Sequence, residues 1–296
     1  MRRLLNHRRA SAYVALLPMA ITACVIYFGT TLWSLRVSFS SSRTFPTDNF
    51  VGFAQYARLF TDDRWLLSLT NLAIYGTLVI VVCLVLGFLL AALIDSQARG
   101  EGALRSMFLY PYAMSFVATG IVWQWLLNPT NGFQEAARRL GFAGFQFDWI
   151  VNPDRVIYAV AIAAIWQSCG LVMVIMLAGL RGIDPDIWKA ARLDGIPTWR
   201  VYMSIARPML AHSFATATIL LLTAVVKLYD VVVAMTQGGP GTASEVPAKY
   251  IMDHLFGRAN IALASAGSIV LLITVGILLA PILYLRRYSA ARLAAR

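Results

Sequence analysis

Two oppositely charged side chains, Lys227 and Asp230, interrupt an otherwise apolar stretch from about His212 to Met235. A charge inside a membrane is costly, and such residues often mark the pathway of an ion or a polar solute. Their spacing would place them on neighbouring positions of one helix, where they could form an ion pair. The pattern therefore predicts either part of a polar pathway or a structural ion pair that faces a neighbouring subunit.

Side chains near these charges could hold a polar solute. Tyr229 lies between the two charges, and Trp166, Gln167 and Ser168 lie in the preceding apolar stretch. Aromatic faces beside hydrogen-bonding groups suit a sugar. Aromatic residues in membrane segments also commonly serve packing or interfacial roles. We take these four residues, with the two charges, as candidates for a substrate pathway.

The sequence offers no arrangement for covalent or metal chemistry. Three cysteines occupy separate apolar stretches, without the spacing of a metal site or a disulfide framework: Cys24, Cys83 and Cys169. Three histidines are scattered and form no ligand cluster: His7, His212 and His254. There is also no Gly-Lys-Ser/Thr phosphate loop. We therefore predict no metal and no cofactor in this chain, and no ATP hydrolysis by it.

Six apolar stretches organise the chain. They span about 12–35, 66–94, 107–127, 156–180, 212–235 and 261–285, and each approaches or exceeds the roughly 20 residues that cross a bilayer. Hydrophobic residues make up 59% of the chain and charged residues only 13%, against roughly 25% charged in soluble domains. Because backbone groups at membrane depth must pair within a helix, the sequence predicts an all-α integral membrane protein with six transmembrane helices.

The net charge of +11 is better explained by membrane orientation than by nucleic-acid binding. With a cytoplasmic N-terminus, the inner segments hold fifteen basic residues and the outer loops nine. This distribution satisfies the positive-inside bias and places both termini in the cytoplasm. A basic start before an apolar run is also typical of a secretory signal peptide. The run from Ala12 to Leu35 exceeds the roughly 7 to 15 residues of such peptides, so we expect a retained first helix.

The longest predicted inner loop, about 181–210, has the pattern of a folded helical hairpin. Asp184 suits a helix N-cap, Pro185 suits the first helical position, and Gly195 ends the short helix. A second helix should then run until Pro208 breaks the chain.

One face of the first short helix carries Ile187, Ala190 and Ala191, where the two alanines would allow another protein to approach closely. This face predicts a docking surface. A hairpin that only lies on the membrane would have the same composition.

The stretch Lys-Ala-Ala-Arg-Leu-Asp-Gly from Lys189 to Gly195, followed thirteen residues later by Pro208, closely resembles the EAA loop of ABC importer permeases. In that family the loop forms coupling helices that sit in a groove of the ATPase subunit. Lys189 replaces the usual Glu and Arg207 replaces a frequent Leu, so Lys189 could pair instead with an acidic residue of the ATPase. The resemblance implies these coupling residues: Lys189, Ala190, Ala191, Asp194, Gly195 and Pro208.

Other stretches resemble the carbohydrate branch of these importers, the family of the maltose and glycerol-phosphate permease subunits. They are 50–56, 109–112, 125–129 and 236–241, while 148–151, 177–182 and 230–235 look most like glucose and mannose importer permeases. The permeases of alpha-glucoside importers are also similar, so an alpha-glucoside remains an alternative substrate. The turn of Gly238, Gly239, Pro240 and Gly241 lets the chain leave the fifth span abruptly. By resemblance it lies near a docked substrate-binding protein, although its residues also suit a plain turn.

The resemblance implies the type I importer (MetI-like) permease fold. A tail, first helix and outer loop would occupy 1–65, and the transport core 66–285, with the coupling loop at 181–210. A cytoplasmic tail would occupy 286–296. The chain would be a permease subunit of a sugar importer in the bacterial inner membrane, with glucose, mannose or a related mono- or oligosaccharide as substrate.

The implied partners are a second permease, two ATPase subunits that bind ATP and Mg, and an extracytoplasmic sugar-binding protein. Lipid would surround the chain. Two other functions remain open: an ion-coupled secondary transporter that uses Lys227 and Asp230, and a non-transporting membrane scaffold.

Overall fold

The computed structural model describes residues 15–96 and 100–294, with side chains described to residue 281. Within these ranges every regular element is a helix, apart from an isolated antiparallel bridge between Ser40 and Phe50. The helices are α1 (Ala15–Ser38), α2 (Ala54–Phe60), α3 (Asp63–Asp95), α4 (Glu101–Ala113), α5 (Phe116–Leu126), α6 (Phe133–Arg139), α7 (Val156–Arg181), α8 (Pro185–Leu193), α9 (Thr198–Met209), α10 (Ala211–Val226), α11 (Asp230–Thr236), α12 (Pro247–Met252) and α13 (Ile261–Ala294). The predicted all-helical fold is confirmed.

The described part of each apolar stretch is mainly helical, and two of the stretches contain a break. Four helices are each long and apolar enough to cross a membrane: α1, α3, α7 and the part of α13 up to Pro281. The pair α4 and α5 is bent by 99°, and the pair α9 and α10 by 71°. The described residues therefore contain four such spans, or six if each bent pair is one span. The basic segments at 1–11, Arg99 and the side chains after residue 285 lie outside the described residues.

The third span is broken where the sequence predicts a continuous helix. Pro111 lies in the last turn of α4, and Met114 then adopts an extended backbone conformation. The Ser115 side chain accepts a hydrogen bond from the amide of Ala118 at 3.1 Å and so caps α5. Gln167 of α7 donates from its amide nitrogen to the carbonyl of Met114 at 2.9 Å. A side chain thus satisfies a backbone group that the break removes from the helix.

The fifth span is also interrupted, so the prediction of one helix from His212 to Met235 is wrong. Helix α10 ends at Val226, and α11 begins only at Asp230. Lys227 and Asp230 therefore do not share a helix, and the helical spacing that would have paired them does not apply. They form no ion pair within 4.0 Å in the described structure. Asp230 instead lies in the first turn of α11, near the positive end of that helix.

The chain separates into two compact units. Among the described residues, the first comprises 15–62 and 251–273. In it, Phe39 packs edge-on against Phe53 with ring centroids 5.2 Å apart. The start of α13 is fixed by backbone hydrogen bonds from Ile261 to the carbonyl of Arg43 and from Ala262 to that of Ser42, both at 3.1 Å.

Among the described residues, the second unit comprises 63–96, 100–250 and 274–294, and α7 forms its core by packing mainly against α3 and α4. Small residues allow the helices to approach closely. A methyl group added at Gly87 of α3 would overlap Val172, and one added at Gly170 of α7 would overlap the backbone carbonyl of Phe108. Close approach of backbones at glycine is typical of membrane helix packing, where burial of apolar surface adds little.

The segment after α11 is fastened to the start of α3 by a buried ion pair. Arg64 Nε donates to Glu245 Oε2 at 2.9 Å, and Arg64 Nη2 donates to Glu245 Oε1 at 2.5 Å. The Glu245 side chain is only 2% exposed. Asn71 adds hydrogen bonds from its amide nitrogen to the carbonyls of Ala243 and Glu245, each at 2.8 Å. The two parallel hydrogen bonds between Arg64 and Glu245 fix the segment in one position.

We expect Gly170→Ala to destabilise the packing of α7 against α4. The new methyl group would have to displace backbone, and overpacking of this kind costs about 1–3 kcal/mol. The thermal unfolding midpoint of the purified protein in detergent should fall. Gly276→Ala is the control, because nothing lies within 4 Å of the added methyl group in the same kind of helix. A Gly170→Ala midpoint equal to that of wild type would contradict the close packing described.

We expect Arg64→Ala to lower the same midpoint, because it leaves the Glu245 carboxylate buried without its ion-pair partner. Removing one partner of a buried pair typically costs about 3–5 kcal/mol. The double variant Arg64→Ala/Glu245→Gln removes the charge as well and should regain part of the loss. If the double variant were less stable than Arg64→Ala, the ion pair would not be the stabilising element.

Candidate functional site

A cavity of about 340 Å³ lies between α3, α4, α7 and α10, at the interruption of the fifth span. Four of the predicted pathway residues line it: Ser168, Lys227, Tyr229 and Asp230. The interruption explains their position, since Lys227 and Tyr229 lie in the irregular segment between α10 and α11. Lys227 and Asp230 are both exposed and line the cavity, Lys227 from the irregular segment and Asp230 from the first turn of α11.

Three hydroxyl-bearing residues of the cavity escaped sequence reasoning: Tyr75, Tyr112 and Thr223. Tyr75 is a lone polar aromatic in the long apolar run of α3, and Tyr112 follows the proline at the end of α4. Either feature could have drawn attention to them. They are brought together only by the packing of three helices.

Two predicted pathway residues do not line this cavity. Gln167 is 1% exposed, and its amide group supports the break in the third span as described above. Trp166 contacts Trp123 edge-on, with ring centroids 5.9 Å apart. Both residues therefore have structural contacts within the chain, and Ser168 alone represents this part of α7 at the cavity.

The chemistry available in the cavity is non-covalent. Hydroxyl groups, an aromatic surface and one charge of each sign can hold a solute through several hydrogen bonds. Within the part of the chain that the structure describes, no group of three His, Cys, Asp or Glu side chains could hold a metal ion. The arrangement therefore suits reversible binding of a polar, uncharged molecule.

The predicted helical hairpin is present as α8 and α9. The Asp184 side chain caps α8 by accepting a hydrogen bond from the amide of Asp186 at 2.9 Å. Gly195 has φ of +67°, and the amide of Ile196 donates to the carbonyl of Ala191 at 3.0 Å. This is a glycine-terminated helix end, which explains why a glycine is needed there. Pro208 lies inside α9, which ends one residue later at Met209, so this proline does not itself break the chain.

The outward face of α8 differs from the predicted one. Ala191 is 4% exposed because it packs within the chain, whereas Ala190 is exposed. The two alanines therefore do not form a shared docking face. Leu193, which sequence reasoning missed, is 88% exposed at the end of α8. Lys189 makes an exposed ion pair with Asp186 at 2.8 Å on the same helix.

The glycine-rich turn is held from within the chain. Gly238 and Gly241 both have positive φ, at +88° and +61°. The Ser244 hydroxyl donates to the carbonyl of Gly239 at 2.8 Å, and the amide of Ser244 donates to the carbonyl of Gly238 at 3.1 Å. Gly238 is buried and Gly241 is exposed, so the turn offers a small outer surface.

Comparison with known proteins places this architecture. Residues 83–294 match the family described as binding-protein-dependent transport system inner membrane component. A probable ABC transporter permease protein of Pyrococcus horikoshii is 32% identical, over 91% of this chain and 93% of that protein. A xylose/arabinose import permease protein of Haloferax volcanii is 29% identical, over 90% of this chain and 85% of that protein.

A solved structure has the same fold along nearly the whole chain. It is a bacterial ABC transporter involved in the import of alginate, with a TM-score of 0.82 and 18% sequence identity, covering 97% of this chain and 99% of the matched chain. At this identity the likeness concerns the fold. The sequence relatives and the family match carry the assignment: this chain belongs to the binding-protein-dependent transport system inner membrane components, the multi-pass and non-catalytic permease subunits of ABC transporters.

Proposed function

We propose that the chain is one of two permease subunits of an ATP-driven sugar importer and forms half of its translocation pathway. The observation that carries this proposal is the cavity at the interrupted fifth span, where Ser168, Tyr75, Tyr112 and Tyr229 supply hydroxyl groups beside Lys227 and Asp230. Multiple hydroxyl donors and acceptors next to aromatic rings match a polyhydroxylated solute.

The substrate we favour is a neutral mono- or oligosaccharide, with glucose, mannose or a related sugar first. One sequence relative supports the class: the Haloferax volcanii protein is a xylose/arabinose import permease. One positive and one negative charge line the cavity, so its own charge does not select for an anion. The partner permease and the binding protein would share in the choice of sugar.

In this proposal α8 and α9 dock on an ATPase subunit in the cytoplasm. The ATPase subunits, and not this chain, bind ATP and Mg. The exposed surface includes Leu193, Lys189, Ala190 and Asp194, while Ala191, Gly195 and Pro208 shape the hairpin. A docked ATPase subunit would remove the exposed Leu193 side chain from water, and burial of apolar surface favours association. Lys189 could exchange its exposed partner Asp186 for a carboxylate of the ATPase at little cost, because exposed pairs contribute only about 0–1 kcal/mol.

The remaining partners are a second permease and an extracytoplasmic sugar-binding protein. The turn from Gly238 to Gly241 is our candidate contact for the binding protein. We place the chain in a bacterial inner membrane, with both of its termini in the cytoplasm. Membership in the ABC permease family argues against an ion-coupled secondary transporter, because such permeases work with a binding protein. A scaffold without transport is tested below.

We expect Gly195→Val to reduce ATP-dependent sugar uptake at least about tenfold while the ATPase still co-purifies. The side chain would strain a backbone with φ of +67° and so misplace the end of α8. Gly141→Val is the matched control, because Gly141 also has a positive φ, of +100°, but lies outside the hairpin. Uptake by a strain that carries each variant gives the comparison. Normal uptake by Gly195→Val would contradict the coupling role. Absence of ATP-dependent uptake with the wild-type chain would instead indicate a scaffold without transport.

We expect Tyr112→Phe to slow uptake of labelled sugar about three- to tenfold below saturation, because it deletes one hydroxyl from the cavity. Tyr110→Phe is the control: Tyr110 lies on the same helix, is 70% exposed and does not line the cavity. Each variant is expressed in a strain that lacks the native chain, and initial uptake rates are measured with labelled glucose, mannose and xylose. The rates give the preference among the sugars and the loss of uptake in each variant. Equal rates for the two variants would place the sugar elsewhere.

A further inference from the structure

A polar cluster joins the ends of three membrane helices to the hairpin. Arg181 at the end of α7 donates to Glu101 at the start of α4, with Nη2 and Oε1 2.6 Å apart. The Nε atom of Arg181 lies 4.0 Å from Asp95 Oδ1 at the end of α3. The hydroxyl of Tyr202 in α9 donates to Asp95 Oδ2 at 2.8 Å. Four helices therefore meet through four side chains: Asp95, Glu101, Arg181 and Tyr202.

The cluster also reaches α8. The ring of Tyr202 packs on Trp188 of α8, with ring centroids 5.3 Å apart. Tyr202, a residue of α9, thus contacts α8 through Trp188 and the membrane helix α3 through Asp95. A shift of α8 would be passed to α3 by direct contact.

The same three membrane helices line the cavity. Tyr75 lies on α3, Tyr112 on α4 and Ser168 on α7. At a rise of about 1.5 Å per residue, the cluster lies roughly 30 Å from Tyr75 along α3 and roughly 20 Å from Ser168 along α7. Each connection is one continuous helix, and continuous helices transmit a displacement of one end to the other.

We infer that Asp95, Glu101, Arg181 and Tyr202 act as positioning residues, a latch that carries movement of the hairpin to the helices around the cavity. The inference rests on the proposed function and adds the route by which coupling reaches the sugar site. The latch side chains are partly exposed, at 45% for Arg181, 35% for Glu101 and 19% for Asp95. Partly exposed pairs are only weakly stabilising, so the latch can open and close in each transport cycle.

Two variants isolate the latch from the fold. Tyr202→Phe keeps the ring on Trp188 and deletes only the hydroxyl. Asp95→Asn keeps an acceptor for that hydroxyl and removes the charge beside Arg181. Tyr27→Phe is the matched control, because Tyr27 is 73% exposed on α1, away from the cluster in sequence.

The complex is reconstituted in proteoliposomes from the chain with its co-purifying subunits and binding protein. Labelled glucose, mannose or xylose is used, whichever the wild-type complex imports. The measured quantity is the number of sugar molecules imported per ATP hydrolysed. A residue needed only for stability would lower uptake and hydrolysis together and leave this ratio unchanged.

We expect both latch variants to assemble and to hydrolyse ATP when loaded binding protein is added, with the ratio lowered about fivefold. The double variant should lose no more than the worse single variant, because the Tyr202–Asp95 and Asp95–Arg181 contacts lie in series on one route from the hairpin to α7. A wild-type ratio in Tyr202→Phe and Asp95→Asn, or losses that multiply in the double variant, would overturn the latch alone. Absence of ATP-dependent uptake by the wild-type complex would overturn the proposed function, and the latch with it.

Discussion

The requirement that backbone polar groups be satisfied at membrane depth governs this structure. Helices meet it by themselves, so an interruption needs a partner from elsewhere in the chain. The break at Met114 has such a partner in Gln167, which is buried and donates to the Met114 carbonyl. The interruption from Lys227 to Tyr229 instead borders the cavity. Irregular backbone thus occurs either where another helix covers it or where it borders an open space.

This constraint explains how one chain can combine a rigid core with a polar interior. Helix α7 packs closely through Gly170 and gives the unit its core. The break in the fifth span brings Lys227, Tyr229 and Asp230 to the cavity, and the packing of the surrounding helices adds further hydroxyl groups. The proposed hairpin contact with an ATPase lies at the other ends of α3, α4 and α7. Helices α3, α4 and α7 connect the two regions without a break, and this continuity is the basis of the proposed latch.

Local signals made part of this predictable from sequence. The cap at Asp184 and the helix end at Gly195 depend on neighbouring residues alone, and both appear as expected. Hydropathy located the spans but averaged over the interruptions at Met114 and at Lys227. Helical spacing grouped Ala190 with Ala191, yet only tertiary packing determines that Ala191 faces the chain. The pair of Arg64 and Glu245 joins residues 181 positions apart, a separation for which the sequence carries no local signal.

The most direct test of the central claim is a crosslink from the exposed residue at the end of α8. A photoreactive amino acid replaces Leu193 in the full complex, in membranes whose two sides are labelled separately. We predict that the crosslinked product contains the ATPase subunit and that position 193 is accessible only from the cytoplasmic side. Labelling of position 193 from the outer side, or a crosslink that never contains the ATPase, would contradict the account.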